Sequence, residues 1–471
     1  MARDAARRGR GLGAALALLA LALIGAGLWI ARRPRAPRGP NVVLITIESL
    51  RTDHVGCYGG AKPTTPQLDA LAQESVVYER AHAVTSWTLA SHASLFTGLY
   101  PTAHRAERPL SRLDDQHHTL AEILTQAGYQ CGGVISGPYL RRPHGLQQGF
   151  AFWDERPSSL DMSESHDDVT NPEMLAGVER FLERVDPERP FFLFAYFWDP
   201  HFDYLPPAPY DRQFVDADDE PVDVRDYEAE EPVRAGLPAA QLDYVRAQYD
   251  GEIRWTDEHL GRLLASLRAR GVWDDTLIVV TADHGEEFFE HGHKGHKHNV
   301  YQESVHVPLV VKYPHAGPTG RDARLASLVD VLPTVLEVTG AEDALARAGR
   351  SLLAPQSARP VFLELLETWY VHRPGEAEAR EELAWFAVLS GQHKLVFVPR
   401  EQRLELYDLA SDPRETQDLA ASQPDTVRGL MQELEGWRAE QLERARAYRE
   451  DARAELGDGE LARLRELGYV R

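Results

Sequence analysis

The stretch NVVLITIE, residues 41–48, runs apolar or β-branched over nearly every position and stops on a carboxylate. A strand that alternates apolar with polar has one wet face. A strand that is apolar throughout is buried on both, as in a parallel sheet covered by helices. Working outward, the same signature recurs at 132–136, at 191–198 (FFLFAYFW), at 276–283 (TLIVVTAD) and at 307–313 (VPLVVKY). Between these runs, residues 65–74, 119–127, 173–184 and 242–268 carry helical patterns. Strands alternating with helices predict an α/β fold, a three-layer sandwich on a mostly parallel sheet.

In such a sheet, ligands bind beyond the carboxyl ends of the strands, and the polar residues fall there. Glu48 ends the first run, Asp199 and His201 follow the third, and Asp283 and His284 end the fourth. Glu48, Asp283 and His284 are hard or borderline donors suited to one divalent cation. Carboxylates at strand ends are also ordinary helix caps. Thr88 lies just before a predicted helix over 90–99, where free N–H groups and the positive dipole end receive an anion; taken alone it reads first as an N-cap. The run His291, His293, His296, His298 reads either as further metal binding, with His296 the foremost extra ligand, or as a histidine-rich surface loop.

The chain has 471 residues, 43% hydrophobic and 26% charged, enough for a large core. Its net charge is −22; residues 1–40 hold eight Arg against one Asp, so the remainder carries −29. A body that acidic repels nucleic acid rather than releasing its counterions. An anion site on it must be local, built from a few cations and backbone dipoles. Two cysteines, Cys57 and Cys131, exclude a disulfide scaffold and a thiolate zinc site, and leave room for one disulfide. Residues 1–10 form a basic tail. Residues 11–31 are uncharged, almost wholly apolar, long enough to span a bilayer and flanked by Arg on both sides. They predict a single-pass signal anchor rather than a cleaved signal peptide, with the body outside the cytoplasm, although with basic flanks at both ends the positive-inside rule favours neither orientation. Residues 32–40 are a Pro/Arg linker, 41–345 the expected catalytic domain, 346–422 a smaller subdomain containing a hairpin over 385–399, and 423–471 a charged helical region. Residues 203–237, rich in Pro, Asp and Glu, predict a long surface excursion.

Five segments together resemble the sulfatase family of the alkaline phosphatase superfamily. NVVLITIESLRTDHVGCYG (41–59) is similar to its opening strand and first metal-ligand turn, and TSWTLASHASLFTGLYPTAHR (85–105) to its signature helix. YFWDPHFDYLPP (196–207) resembles the segment bearing a substrate-side histidine. TADHGEEFFEHGHKGHKHNVYQESVHVPLVV (281–311) resembles the second metal-ligand pair, and LYDLASDPRETQDLA (406–420) the C-terminal signature. The resemblance implies an alkaline-phosphatase-like sandwich with a small C-terminal α+β subdomain. It implies a metal site of Glu48, Asp283, His284 and Thr88, with Thr88 as nucleophile and His92, His201 and Lys297 supporting an anion. The metal would be a single divalent ion, with Ca, Mg, Mn and Zn all compatible and a second one allowed.

The residues also depart from the sulfatase pattern. The sulfatase nucleophile is a formylglycine made from Cys or Ser, whereas this chain has Thr88; Ala90 replaces the usual Pro, His92 the usual Arg, and Glu48 the usual first Asp. The Glu, Thr, Asp, His set instead resembles that of phosphoethanolamine transferases and lipoteichoic acid synthase. The expected activity is therefore metal-dependent hydrolysis of a sulfate or phosphate ester of a glycan, lipid or small molecule. The alternatives are a phospho-group transferase acting on membrane lipid or surface glycan, and a catalytically inactive binding protein on the same fold.

Overall fold

The computed structural model describes residues 39–159, 170–225, 227, 232–355, 358–371, 379–448, 452–457, 459 and 461–462. The strands in chain order are β1 (Asn41–Ile47), β2 (Val76–His82), β3 (Gln130–Ile135), β4 (Phe152–Asp154), β5 (Phe191–Phe197), β6 (Thr276–Ala282), β7 (Glu287–Phe288), β8 (Lys294–Gly295), β9 (Leu309–Lys312), β10 (Gly320–Ser327), β11 (Val361–Val371), β12 (Ala379–Ser390), β13 (His393–Val398) and β14 (Arg403–Asp408). Eight of them make one sheet in the order β10-β2-β9-β6-β1-β5-β3-β4. β1 lies at its centre, with Leu44 between Phe194 of β5 and Val279 of β6, all three fully buried or nearly so. This is why its sequence is apolar on both faces.

Only β9 runs against its neighbours. The reason lies in the connection. A parallel return needs a crossover that carries the chain back across the sheet. Residues 283–308 instead stay at the carboxyl end of β6, closing the small β7–β8 ribbon, and re-enter the sheet from that same end. Helices Pro66–Ala72, Asn171–Leu182 and Ala239–Ala269 pack together as one covering layer. Helices Thr88–Thr97, Leu120–Gln126 and Val331–Thr339 group as the other. The sandwich expected from sequence is thus present.

Strands β11–β14 form a separate antiparallel sheet, against which helix Pro424–Ala445 packs. Trp437 of that helix stacks on Phe362, with ring centres 4.8 Å apart. The 385–399 hairpin is β12 and β13. β2, β10 and β11 have no counterpart in the sequence reading. β10 is exposed over most of its first half, and its run GRDARLAS carries no apolar signature.

The helix expected over 90–99 spans Thr88–Thr97 and so begins at the candidate nucleophile itself. Gly98 ends it in the left-handed conformation at φ 63°, a C-terminal stop that glycine accepts without steric cost. Residues 201–238 are largely irregular where described, with one turn of helix at Tyr210–Gln213. Cys57 and Cys131 are free thiols. Among the described residues no helix is long and apolar enough to cross a membrane; the expected anchor, residues 11–31, lies outside them.

Candidate active site

β1 delivers Glu48 to the rim, and the turn after it is unusual. Ser49 is left-handed, φ 52°, a conformation that costs a non-glycine residue on the order of 1 kcal/mol or more. It brings the Ser49 N–H back to Asp283 Oδ1 at 3.3 Å. Tyr249 holds the turn by donating to the Ser49 carbonyl at 2.6 Å and accepting from Arg51 N at 3.1 Å. The Arg51 guanidinium then crosses to the other half of the rim, donating to the Glu286 carbonyl at 2.9 Å and to Glu290 at 2.8 Å. The turn bearing Glu48 and the loop bearing Asp283 and His284 are therefore tied together.

Thr88 enters from a third element. Its N-cap, Trp87, supplies no capping side-chain bond, so the first turn of the helix keeps its anion-receptive end. Thr88 Oγ1 donates to Glu48 Oε1 at 3.3 Å and lies 3.2 Å from His284 Nε2. His284 Nε2 is also 3.1 Å from Glu48 Oε1 and 3.5 Å from Asp283 Oδ2. His284 donates its other ring N–H to the Gly285 carbonyl at 2.9 Å, which aims Nε2 into the cluster, the arrangement that metal-binding histidines use. All four residues are at most 2% exposed.

Buried together, these groups are electrostatically unbalanced. Burial raises the Glu48 carboxyl, but its neighbours, His284 first and then His201 and Asp283, together hold Glu48 below the usual carboxylate range. Burial, and next the Glu48 charge, push Asp283 well above that range. Burial disfavours the charged His284 ring, yet the two carboxylates lift it to about 10. A proton is thus held among these groups where a cation would sit, and metal binding displaces such protons. Two atoms show the same deficit. Asp283 Oδ2 and His296 Nε2 are buried without a hydrogen-bond partner among the described residues. Glu48, His284 and His296 present donor atoms all within 4.8 Å of one another. The residues fit a divalent cation.

The remaining candidates fall around this centre. His92 is fully buried beneath the first turn of the helix. Its Nδ1 is 2.9 Å from the Thr88 carbonyl and its Nε2 2.9 Å from Thr46 Oγ1, so both ring nitrogens bond within the protein. His201 stacks on Trp198, ring centres 3.7 Å apart, and lies 5.4 Å from the His296 ring; burial holds it neutral, lowering it to about 3. Lys297, left-handed at φ 73°, donates its backbone N–H to the Ser86 carbonyl at 3.1 Å. Its ammonium sits 4.9 Å from the centre of the Trp87 ring, beside Thr88. Of the other loop histidines, His293 and His298 stack on each other, and His291 turns away to Glu303 at 2.6 Å.

Sequence reasoning missed Tyr196, whose hydroxyl donates to Glu48 Oε2, together with Tyr249 and Arg51. Tyr196 sits inside FFLFAYFW, where it reads as one more core aromatic. A separate cleft of about 330 Å³ lies behind Asp53 and His54 and contains none of the candidate residues.

With this geometry in view, the family model described as Sulfatase matches residues 40–341. The chain belongs to the sulfatase family. It is a sulfatase-family hydrolase, and residues 289–441 also match the model described as N-sulphoglucosamine sulphohydrolase, C-terminal. Among its relatives, the multifunctional alkaline phosphatase superfamily protein PehA of Trinickia caryophylli is 27% identical over 502 residues, covering 86% of this chain and 96% of that protein. The N-acetylglucosamine-6-O-sulfatase of Bacteroides thetaiotaomicron is 23% identical over 84% of this chain and 86% of its own length. Among solved structures, the phosphonate monoester hydrolase of Agrobacterium radiobacter superposes with a TM-score of 0.71 at 26% identity, covering 86% of this chain and 96% of that one. The sulfatase-family fold therefore spans both sheets of this molecule.

Proposed function

We propose that this sulfatase-family protein is a metal-dependent hydrolase of phosphate or sulfate esters that works through Thr88, with phosphate esters the better substrates. One observation carries the reading: the Thr88 hydroxyl opens a helix and meets Glu48 at 3.3 Å and His284 at 3.2 Å in a buried cluster short of positive charge. Glu48, Asp283, His284 and Thr88 would hold one divalent cation, with His296 as a further ligand, and the cation would acidify the Thr88 hydroxyl and draw charge from the ester oxygens. Thr88 Oγ bonds to phosphorus as the bond from phosphorus to the alcohol oxygen breaks. The hydroxyl proton ends on the departing alcohol, and Thr88 is left as a phosphothreonine. Water then takes the place of Thr88 at phosphorus, returns one proton to it and releases phosphate. Lys297 supplies positive charge to the ester oxygens, and the neutral His201 ring lines the same side of the site beside His296. His92 acts indirectly, by fixing the first turn of the helix.

The preference for phosphate follows from the hydroxyl. A hydrated aldehyde has a second hydroxyl that expels sulfate without attack at sulfur. Thr88 has none, so a threonine sulfate would have to be cleaved at sulfur. The relatives include a phosphonate monoester hydrolase and several proteins named as sulfatases, so both ester classes belong in the test. Matched 4-nitrophenyl phosphate, phosphodiester and sulfate are the probes, each with several divalent metals. Thr88→Ser should retain appreciable turnover. Thr88→Ala should lose on the order of 10⁴-fold or more, and peptide mass spectrometry after brief exposure should show an adduct on Thr88. Full turnover by Thr88→Ala would sink the covalent mechanism. Residues 11–31 serve in the same reading as a single-pass anchor that holds the body outside the cytoplasm, near surface glycans or lipids; reporter fusions at the C-terminus check the orientation.

A further inference from the structure

The motif LYDLASDPRETQDLA lies in the second sheet and the turn beyond it, with no residue among the candidate ligands, yet one of its residues reaches towards the rim. Lys394 on β13 and Glu415 in the motif form an ion pair at 2.7 Å, both side chains fully buried. The pair is charge-balanced, but its hydrogen bonds go elsewhere. Lys394 Nζ donates to the Val300 carbonyl at 2.6 Å, and Glu415 Oε2 accepts from the Gln302 N–H at 2.6 Å. Between these two points, Tyr301 donates its hydroxyl to Glu405 of β14 at 2.7 Å. Three successive residues of the large domain, 300–302, are thus gripped by the second sheet.

The opposite side of that segment touches the rim. The Asn299 carbonyl accepts from Ser86 Oγ at 2.7 Å, and Lys297 N–H donates to the Ser86 carbonyl, two residues before Thr88. Ser304 and Glu303 carbonyls accept from the N–H groups of Gly285 and Glu286, immediately after His284. Residues 297–304 therefore touch the nucleophile's strap and the loop after His284, while the second sheet holds them from behind.

We propose that Lys394 and Glu415 are positioning residues: the second sheet uses this buried pair to set the register of residues 297–304, and through it the placement of Lys297 and His296 against Thr88. The proposal rests on Thr88 being the reacting group. Stability alone does not explain the pair, because well-packed apolar residues often replace buried ion pairs without loss. Apolar side chains could close the seam, but they could not offer a donor to Val300 and an acceptor to Gln302.

Two double variants of the full-length protein separate these roles. Lys394→Met with Glu415→Leu fills the space and removes both hydrogen bonds. Lys394→Gln with Glu415→Gln removes the charges but keeps a donor and an acceptor. The first should retain its metal and lose kcat by on the order of 10²-fold, the scale of a displacement of about 1 Å, with little change in KM. The second should recover part of that kcat. Leu434→Ala, which weakens the far face of the second sheet, should lower the melting temperature without lowering kcat. Hydrogen exchange reads the grip without activity: amides of residues 299–304 should exchange faster in the Met/Leu variant than in the Gln/Gln variant. Equal kcat in the two double variants, or equal exchange at 299–304, overturns the proposal. If the wild type turns over none of the esters, the Thr88 reading fails and the exchange result still decides the grip.

Discussion

At the carboxyl rim of the large sheet, Glu48, Asp283 and His284 are buried together, and Asp283 Oδ2 accepts no hydrogen bond among the described residues. At the seam between the sheets, Lys394 and Glu415 are buried just as deeply, one charge of each sign in contact and each also bonded to backbone. Both are costly places to put charge. At the rim two acids share one imidazole, whereas at the seam one acid meets one ammonium, and although Glu415 Oε1 likewise makes no hydrogen bond, Lys394 Nζ lies 2.7 Å from it. Burial alone therefore does not mark a functional site; burial with an unmet charge does.

Removing charge at the rim is the strongest way to break this contrast. Asp283→Ala should lose the bound metal and with it essentially all turnover, measured by elemental analysis of the folded full-length protein beside its rates, and chelation of the wild type should do the same. Stoichiometric metal on Asp283→Ala would show that the deficit at the rim is not a metal site. Next in size is the seam. Lys394→Met leaves Glu415 alone and fully buried, so stability should fall by about 3–5 kcal/mol in denaturant melts, the usual cost of breaking a buried pair. An unchanged midpoint would mean that water reaches the seam.

A smaller effect is expected at Tyr196. Its hydroxyl holds the outer oxygen of Glu48, so Tyr196→Phe should weaken metal binding by about 10- to 100-fold, as for other groups that orient a ligand, and leave the melting temperature of the metal-free protein nearly unchanged. Metal titration followed by activity measures it, and unchanged affinity would remove Tyr196 from the site. The smallest concerns another buried acid, Glu364 of β11, which accepts from Thr102 N and Oγ1 at 2.6 Å each. Burial raises it to about 7, against the lowering effect of the Thr102 bonds. Because the folded value lies above the unfolded one, its contribution is fully present below about 4.3 and is lost as pH rises through about 7. Glu364→Gln should therefore show a shallower fall in melting temperature between pH 5 and pH 8 than the wild type. Parallel curves would show that Glu364 titrates alike in the folded and unfolded chains.

The central strands were legible because a strand buried on both faces must be apolar at nearly every position, and few other segments of a chain this acidic can be. Glu48, Asp283 and His284 were legible as a group for the same reason: each interrupts such a run at the same end. β2 and β10 were not. VVYERAH and GRDARLAS lie near or at one edge, where half-exposed positions accept charge and the pattern dissolves. The start of the Thr88 helix was displaced by two residues because no capping side chain marks it. What precedes it is a strap fixed by distant backbone, Lys297 N–H on the Ser86 carbonyl.

By itself, the sequence determined the central strands, the helices between them and the end of the sheet where the candidate residues gather, because burial on both faces is written in local composition. Only the tertiary structure decided which side chains meet. Tyr196 joins Glu48 across 148 residues and Tyr249 joins Ser49 across 200, and neither tyrosine differs locally from a core aromatic. The hydrogen bonds that orient Glu48, commit His92 to Thr46 and leave Asp283 Oδ2 without a donor depend on positions good to a few tenths of an ångström. Those positions are set by packing between elements far apart in the chain, which no local pattern records.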